Sequence, residues 1–148
     1  MKVTISHILS CLFFITPILI FAEIDFGRDV KPVLEHNCVS CHRDGNDKGN
    51  VRLDTKEAAF GGDDVIIAGN PEDSSLYWTT TLPTDDELFM PPIKNEEKDY
   101  PLTDAEKKIL HDWIKEGAAW PDGVTLNPEK RLPKKVDFVE HVQPILEL

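Results

Sequence analysis

The chain has 148 residues, with 27 acidic side chains against 16 basic ones and a formal net charge of −11. That length holds one small domain plus a targeting segment and a tail. The acidic balance argues against nucleic acid, DNA included, as a partner, because such binding rests on neutralising backbone phosphates.

Met1 to Ala22 is weakly basic at its front (Lys2) and then apolar, with a small residue at Ala22. It reads as a secretory signal peptide, predicting an exported, periplasmic product that stays membrane-associated if the segment is uncleaved. Phe26, Val30, Val33 and Leu34 then fall on one helical face. Pro32 is compatible only with a first turn, which predicts a helix entered near Asp29 as N-cap. Phe26 would pack back from the preceding loop.

That helix delivers Cys38-Val39-Ser40-Cys41-His42, a C-x-x-C-H run. Such spacing attaches a c-type haem: two thiols on one side of a helical turn form thioethers to the porphyrin vinyls, and the next imidazole ligates iron. A structural zinc site would bring a second Cys or His pair, and no cysteine follows Cys41. A thioredoxin-like pair would follow a strand rather than a helix. Two inert buried cysteines would leave His42 unexplained. With Cys11 in the leading segment and two thiols given to the haem, none is left for a disulfide.

Further along, Arg43 to Asn50 is a polar turn-rich loop, and Asp54-Thr55-Lys56-Glu57 has capping-box spacing for a short helix ending at Gly61-Gly62. Val65 to Ala68 reads as a buried extended piece, and Ser74 or Ser75 caps a second short helix carrying Leu76, Tyr77 and Trp78. Prolines exclude a regular element around Met90. Thr103 and Glu106 open the clearest helix, with Leu110, Trp113 and Ile114 on its apolar side and Gly117 as its stop. Trp78, Trp113 and Trp120 either line the haem pocket or pack the core, and core packing is the preferred reading.

A low-spin electron-transfer haem needs a second axial ligand, commonly a soft thioether that raises the potential. Met90 is the only methionine besides Met1, and the 47 residues between it and His42 can wrap the far face of a porphyrin. His36 is tied to the His42 side, His111 lies on the polar flank of the last helix, and His141 lies in the tail.

The domain is expected to span 23–121, followed by a linker over 122–135. From 136 to 147 the sequence repeats 24–35 at an offset of 112, with Asp-Phe, Val, Pro and Leu-Glu in register, and the tail ends at 148. This reads as the opening of a second, truncated module, so further domains of the same polypeptide are expected as partners.

From Asp25-Phe26, the attachment run, Val51-Arg52-Leu53-Asp54, Leu88-Phe89-Met90-Pro91-Pro92 and Trp113 to Pro121, the region Phe26–Pro121 resembles the class I c-type cytochromes, most closely the planctomycete-type cytochrome c domain. The resemblance implies an all-α, cytochrome c-like fold of three to five short helices with long loops around one covalently bound haem. It departs from that pattern at Asp85-Asp86-Glu87 and over Lys94 to Tyr100. Arg52 is either a partner for a haem propionate or an exposed arginine. The expected activity is electron transfer without substrate chemistry. The alternative is a haem enzyme or gas sensor with a displaceable sixth ligand, although no distal His or Arg lies near Met90 in sequence. The acidic surface serves either as a solubilising coat or as a face that steers a basic redox partner.

Overall fold

A computed structural model of the protein describes residues 23–93, 101–129 and 143–146. The signal segment 1–22, the stretch 94–100, the second part of the expected linker and most of the repeated tail, His141 included, lie outside the described residues. Among the described residues no helix is long and apolar enough to cross a membrane.

The first helix begins earlier than its sequence suggests. A wide π turn over Phe26–Val30 runs directly into α1, Lys31–Asn37, and the cap is Asp25 rather than Asp29. The Asp25 carboxylate accepts from Arg28 N (2.7 Å), and Asp29 reaches back to accept from Asp25 N (2.9 Å). Two aspartates four residues apart thus share the capping work. Pro32 sits in the first turn of α1, where its missing donor does least harm. Just ahead of it the helix is wound wide, with Lys31 N–H bonded to Phe26 O.

Phe26, Val30, Val33 and Leu34 are buried together, as the stripe predicts. They meet α4, Asp104–Lys115, whose buried side is Leu110, Trp113 and Ile114. Phe26 lies 5.8 Å from the Trp113 ring and 4.4 Å from the Trp120 ring. Both indole N–H groups are satisfied inside this core, Trp113 by Ala119 O (2.9 Å) and Trp120 by Val124 O (3.2 Å). Gly117, at φ +104°, lets the chain leave α4, and Ala118 N–H closes the end on Trp113 O (2.8 Å).

Both halves of the expected capping box are made at the start of α4: Glu106 N–H donates to Thr103 Oγ1 and Thr103 N–H to Glu106 Oε2. Thr103→Ala removes the side-chain half and should cost about 1 kcal/mol. Urea midpoints would read this, and an unchanged midpoint would mean the cap contributes nothing.

Among the described residues between these helices the chain is mostly loop, with a short ribbon, two short helices and two 3-10 turns. A two-stranded antiparallel ribbon pairs β1, His42–Arg43, with β2, Asn46–Asp47, in the register His42 to Asp47. Asp44-Gly45 makes its turn, with Gly45 at φ +74°. Helix α2, Lys56–Ala59, is capped by Thr55, one residue later than the spacing from Asp54 suggests. Helix α3, Ser75–Trp78, follows Ser74 and continues as a 3-10 turn over Thr79–Thr81. Val65 and Ile66 are buried as expected, Val65 at the end of a turn and Ile66 just beyond it.

The chain does not leave the domain at Pro121. Leu126 is 2% exposed, and its N–H donates to Asp54 O (2.8 Å). Lys56 pairs with Asp122 at 2.6 Å. Asn127 N–H then reaches the buried Glu35 carboxylate (2.9 Å), and Glu129 N–H reaches Glu35 O (3.1 Å). The packed unit therefore runs to Glu129. In the tail, α5, Gln143–Leu146, leaves Ile145 68% and Leu146 70% exposed.

Candidate cofactor centre

The end of α1 is held so that its cysteines leave the helix in a further turn. Cys38 and Val39 N–H both donate to Leu34 O (2.9 and 3.0 Å), and Cys41 and His42 N–H both donate to Cys38 O (3.1 Å each). Val39, fully buried, pins this turn into the core and sends Cys38 and Cys41 to the other side. No disulfide joins the two thiols. Leu53 N–H closes the following loop on His42 O (2.8 Å).

On that other side lies a cavity of about 570 Å³, lined by Cys38, Cys41, His42 and Met90 together with apolar side chains such as Leu53 and Leu76. Its size is that of a pocket for a substantial organic ligand, roughly 300–1,000 Å³. Met90 reaches it on a loop fixed by three contacts. Phe89 is 2% exposed, Met90 N–H donates to Thr79 O (3.2 Å), and Leu88 N–H donates to Asp86 Oδ1 (2.8 Å). The Met90–Pro91 peptide is cis. The structure thus unites four sequence-predicted site residues from two distant segments.

Burial pushes the His42 imidazole towards its neutral form, with positive Lys48 adding to it and backbone groups at Val51 and Lys48 acting the other way. Its Nδ1 is buried without a hydrogen-bond partner among the described residues. A neutral imidazole on the lining of the cavity is the form that a metal takes. Yet among the described residues no three His, Cys, Asp or Glu side chains converge to cage a bare ion. A metal carried in its own organic scaffold would need few ligands from the protein, and His42 and Met90 offer a nitrogen and a sulfur at the lining. The residues present fit a haem.

Arg52 is not brought to this centre. It does not line the cavity, and its guanidinium is held by Asp54 (3.1 and 2.9 Å) and by Asp44 (3.2 Å). Hydrogen bonding to Arg52 holds the Asp54 carboxyl below its usual range, with burial opposing and the Asp44 backbone N–H assisting. The folded state therefore favours ionised Asp54. Its stabilisation is complete above about pH 4 and is lost as pH falls through the lower folded-state value. Asp54→Asn should flatten the acid limb of a plot of urea midpoint against pH. An unaltered acid limb would show that the pair adds no stability.

Three further residues, Trp78, Lys48 and His36, line the cavity. Trp78 lines the cavity instead of packing the core with the other two tryptophans. Lys48 lines it too, its Nζ 3.6 Å from Cys41 Sγ. His36 lies at the lining and meets Glu129 at 3.3 Å. His111 is elsewhere, between Asp112 (2.8 Å) and Glu72 (3.4 Å).

Residues 38–94 match the family model described as Planctomycete cytochrome C. The match supports a planctomycete-type cytochrome c domain, and it starts at Cys38 and passes beyond the Met90 loop. It is narrower than the region of resemblance in the sequence, leaving out the first helix and α4. Neither the curated proteins nor the solved structures contain a match.

Proposed function

From a planctomycete-type cytochrome c domain as premise, we infer that the chain is an exported electron carrier that binds one covalent haem. Cys38 and Cys41 would hold it through thioethers, and His42 and Met90 would ligate its iron. The observation behind this reading is the meeting of those four side chains in one cavity although 47 residues separate His42 from Met90. When bound, the haem supplies a one-electron couple between ferrous and ferric iron.

The protein's own part is to bind, orient and exclude water. Val39 and the double acceptor Leu34 O fix the direction in which both thiols leave α1. Desolvation keeps His42 in its ligating form. Buried Phe89 holds the Met90 thioether to the cavity, where a soft sulfur favours the reduced metal. Exposed Ser40, Gly49 and Leu88 belong to the same lining, so the cavity reaches the surface, where an electron enters or leaves.

Export is supported by the apolar Met1–Ala22 segment. Membership of a larger polypeptide is supported by the register of the tail with the first helix. Val33 and Leu34 are 5% and 0% exposed, whereas Ile145 and Leu146, their equivalents, are 68% and 70% exposed. The acidic side chains Asp85, Asp86 and Glu87, exposed beside Leu88, favour a redox partner with a basic face.

The deciding experiment is expression of the full chain with periplasmic maturation. Intact mass should show the addition of one haem. The ferric spectrum should carry the weak far-red band of thioether-to-iron ligation and stay unchanged when cyanide is added. Bare polypeptide mass would defeat the assignment, and rapid cyanide uptake would favour the ligand-binding alternative.

A further inference from the structure

In a chain with 27 acidic residues, no Asp or Glu is among the described residues that line the cavity. Two carboxylates stand directly behind polar side chains of the lining: Glu106, 3.3 Å from Asn37, and Glu129, 3.3 Å from His36. They differ in how they are held. Glu106 belongs to the capping box of α4, where Thr103 N–H and Oγ1 both bind its Oε2 at 2.8 Å. Glu129 lies instead on an irregular strap, 122–129, that crosses to α1.

Two main-chain bonds fasten this strap to α1, Asn127 N–H to Glu35 Oε1 (2.9 Å) and Glu129 N–H to Glu35 O (3.1 Å). The contact between the Glu129 carboxylate and the His36 ring is a third fastening, and it is the one made to a residue of the lining. The His36 side chain is 31% exposed and that of Glu129 is 60% exposed. The other charges about this fastening, buried Glu35 and Lys31 at 3.6 Å from it, belong to α1 and not to the strap. One negative charge on a lightly held segment is thus kept a single side chain away from the cavity.

On the haem reading above, on which this inference rests, the cavity holds one more positive charge in the ferric state than in the ferrous state. A carboxylate closed on His36 feels that difference. A carboxylate lifted into water feels much less of it, because solvent and salt screen the interaction.

We propose that Glu129 is a redox-sensing residue: the strap that carries it closes on α1 more firmly over ferric than over ferrous iron, and the closed strap lowers the midpoint potential. The two effects are one coupling seen from its two ends, so they have the same size. The electron comes from the redox partner and stays on the iron; no bond of the protein forms or breaks, and no proton moves. Because Glu129 is more than half exposed, the coupling is about threefold, which for a one-electron couple is roughly 28 mV.

The test uses the full, periplasm-matured protein at low ionic strength, after intact mass has shown the haem attached. Glu129→Gln keeps the main-chain bond to Glu35 O and removes the charge. Its midpoint potential should rise by roughly 28 mV. Amide hydrogen exchange over 122–129, read by mass spectrometry, should be about threefold slower in the ferric than in the ferrous form of the unsubstituted protein. That difference should vanish in Glu129→Gln and persist in Glu106→Gln, whose charge sits on a core helix. With haem attached, equal exchange in the two oxidation states overturns the proposal. An unchanged potential in Glu129→Gln also overturns it. So does an exchange difference that survives Glu129→Gln or is lost in Glu106→Gln, because a redox effect spread over the whole fold would give that pattern. A matured chain without haem mass defeats the functional reading, and this proposal with it.

Discussion

His42→Ala is expected to abolish the low-spin haem spectrum and to lower the thermal midpoint by on the order of 20 °C. Loss of a metal ligand belongs to the substitutions that cost about 4–5 kcal/mol or more. In a domain of this size each kcal/mol moves the midpoint by roughly 4–8 °C. The cavity adds a second cause. It lies against the buried residues Leu53, Val65 and Leu76. A haem no longer gripped by His42 would pack less firmly against those side chains, which adds to the loss. The thioethers can still tether a porphyrin in this variant, but nothing holds its iron from the α1 side. Spectra of purified material and a thermal melt check both effects together. An unchanged melt with an unchanged spectrum would remove His42 from the centre.

Met90→Ala should act in another way. The covalent attachment is untouched, and Phe89 remains buried with the Met90 N–H to Thr79 O bond in place, so the loop keeps its position. What disappears is a soft ligand that favours reduced iron. Axial ligands command a span of ~0.8 V in haem proteins, so a fall on the order of 0.1 V in midpoint potential is the expected size. The vacated position should also accept cyanide in the ferric form and carbon monoxide in the ferrous form. Redox titration and ligand difference spectra measure these. A potential equal to that of the unsubstituted protein would rule Met90 out as the ligand.

Features set by near neighbours were legible in the sequence. The Thr103–Glu106 box, the Gly117 stop and the Phe26, Val30, Val33, Leu34 stripe each depend on spacings of three or four residues, which the helix enforces. The turn carrying Cys38, Cys41 and His42 is equally local. Features set by competition between similar residues were not legible. Asp25 and Asp29 are both good caps, and the wide turn before Pro32 gives the N-cap to the first. Asp44-Gly45 is an ordinary hairpin signal, but strands of two residues are too short to show alternation. Trp78 looks like any core tryptophan until α3 places it beside Ser75 at the cavity. The case of Arg52 turned on distance in space: its carboxylate partners, Asp54 and Asp44, were already in the same loop. Residues 122–129 read as part of a linker because the stretch 122–135 is polar and holds two prolines. One buried leucine and a few main-chain bonds hold them to the domain.

That last stretch bears on how the domain would behave under load. Its final fastening, Asn127 and Glu129 against Glu35, is on α1, three residues before the first attachment cysteine. Anything joined further along the polypeptide is thus moored to the attachment helix and not to the far side of the fold. A tug from that direction would be felt first at Glu35, within one helical turn of Cys38, before it reached the α4 core.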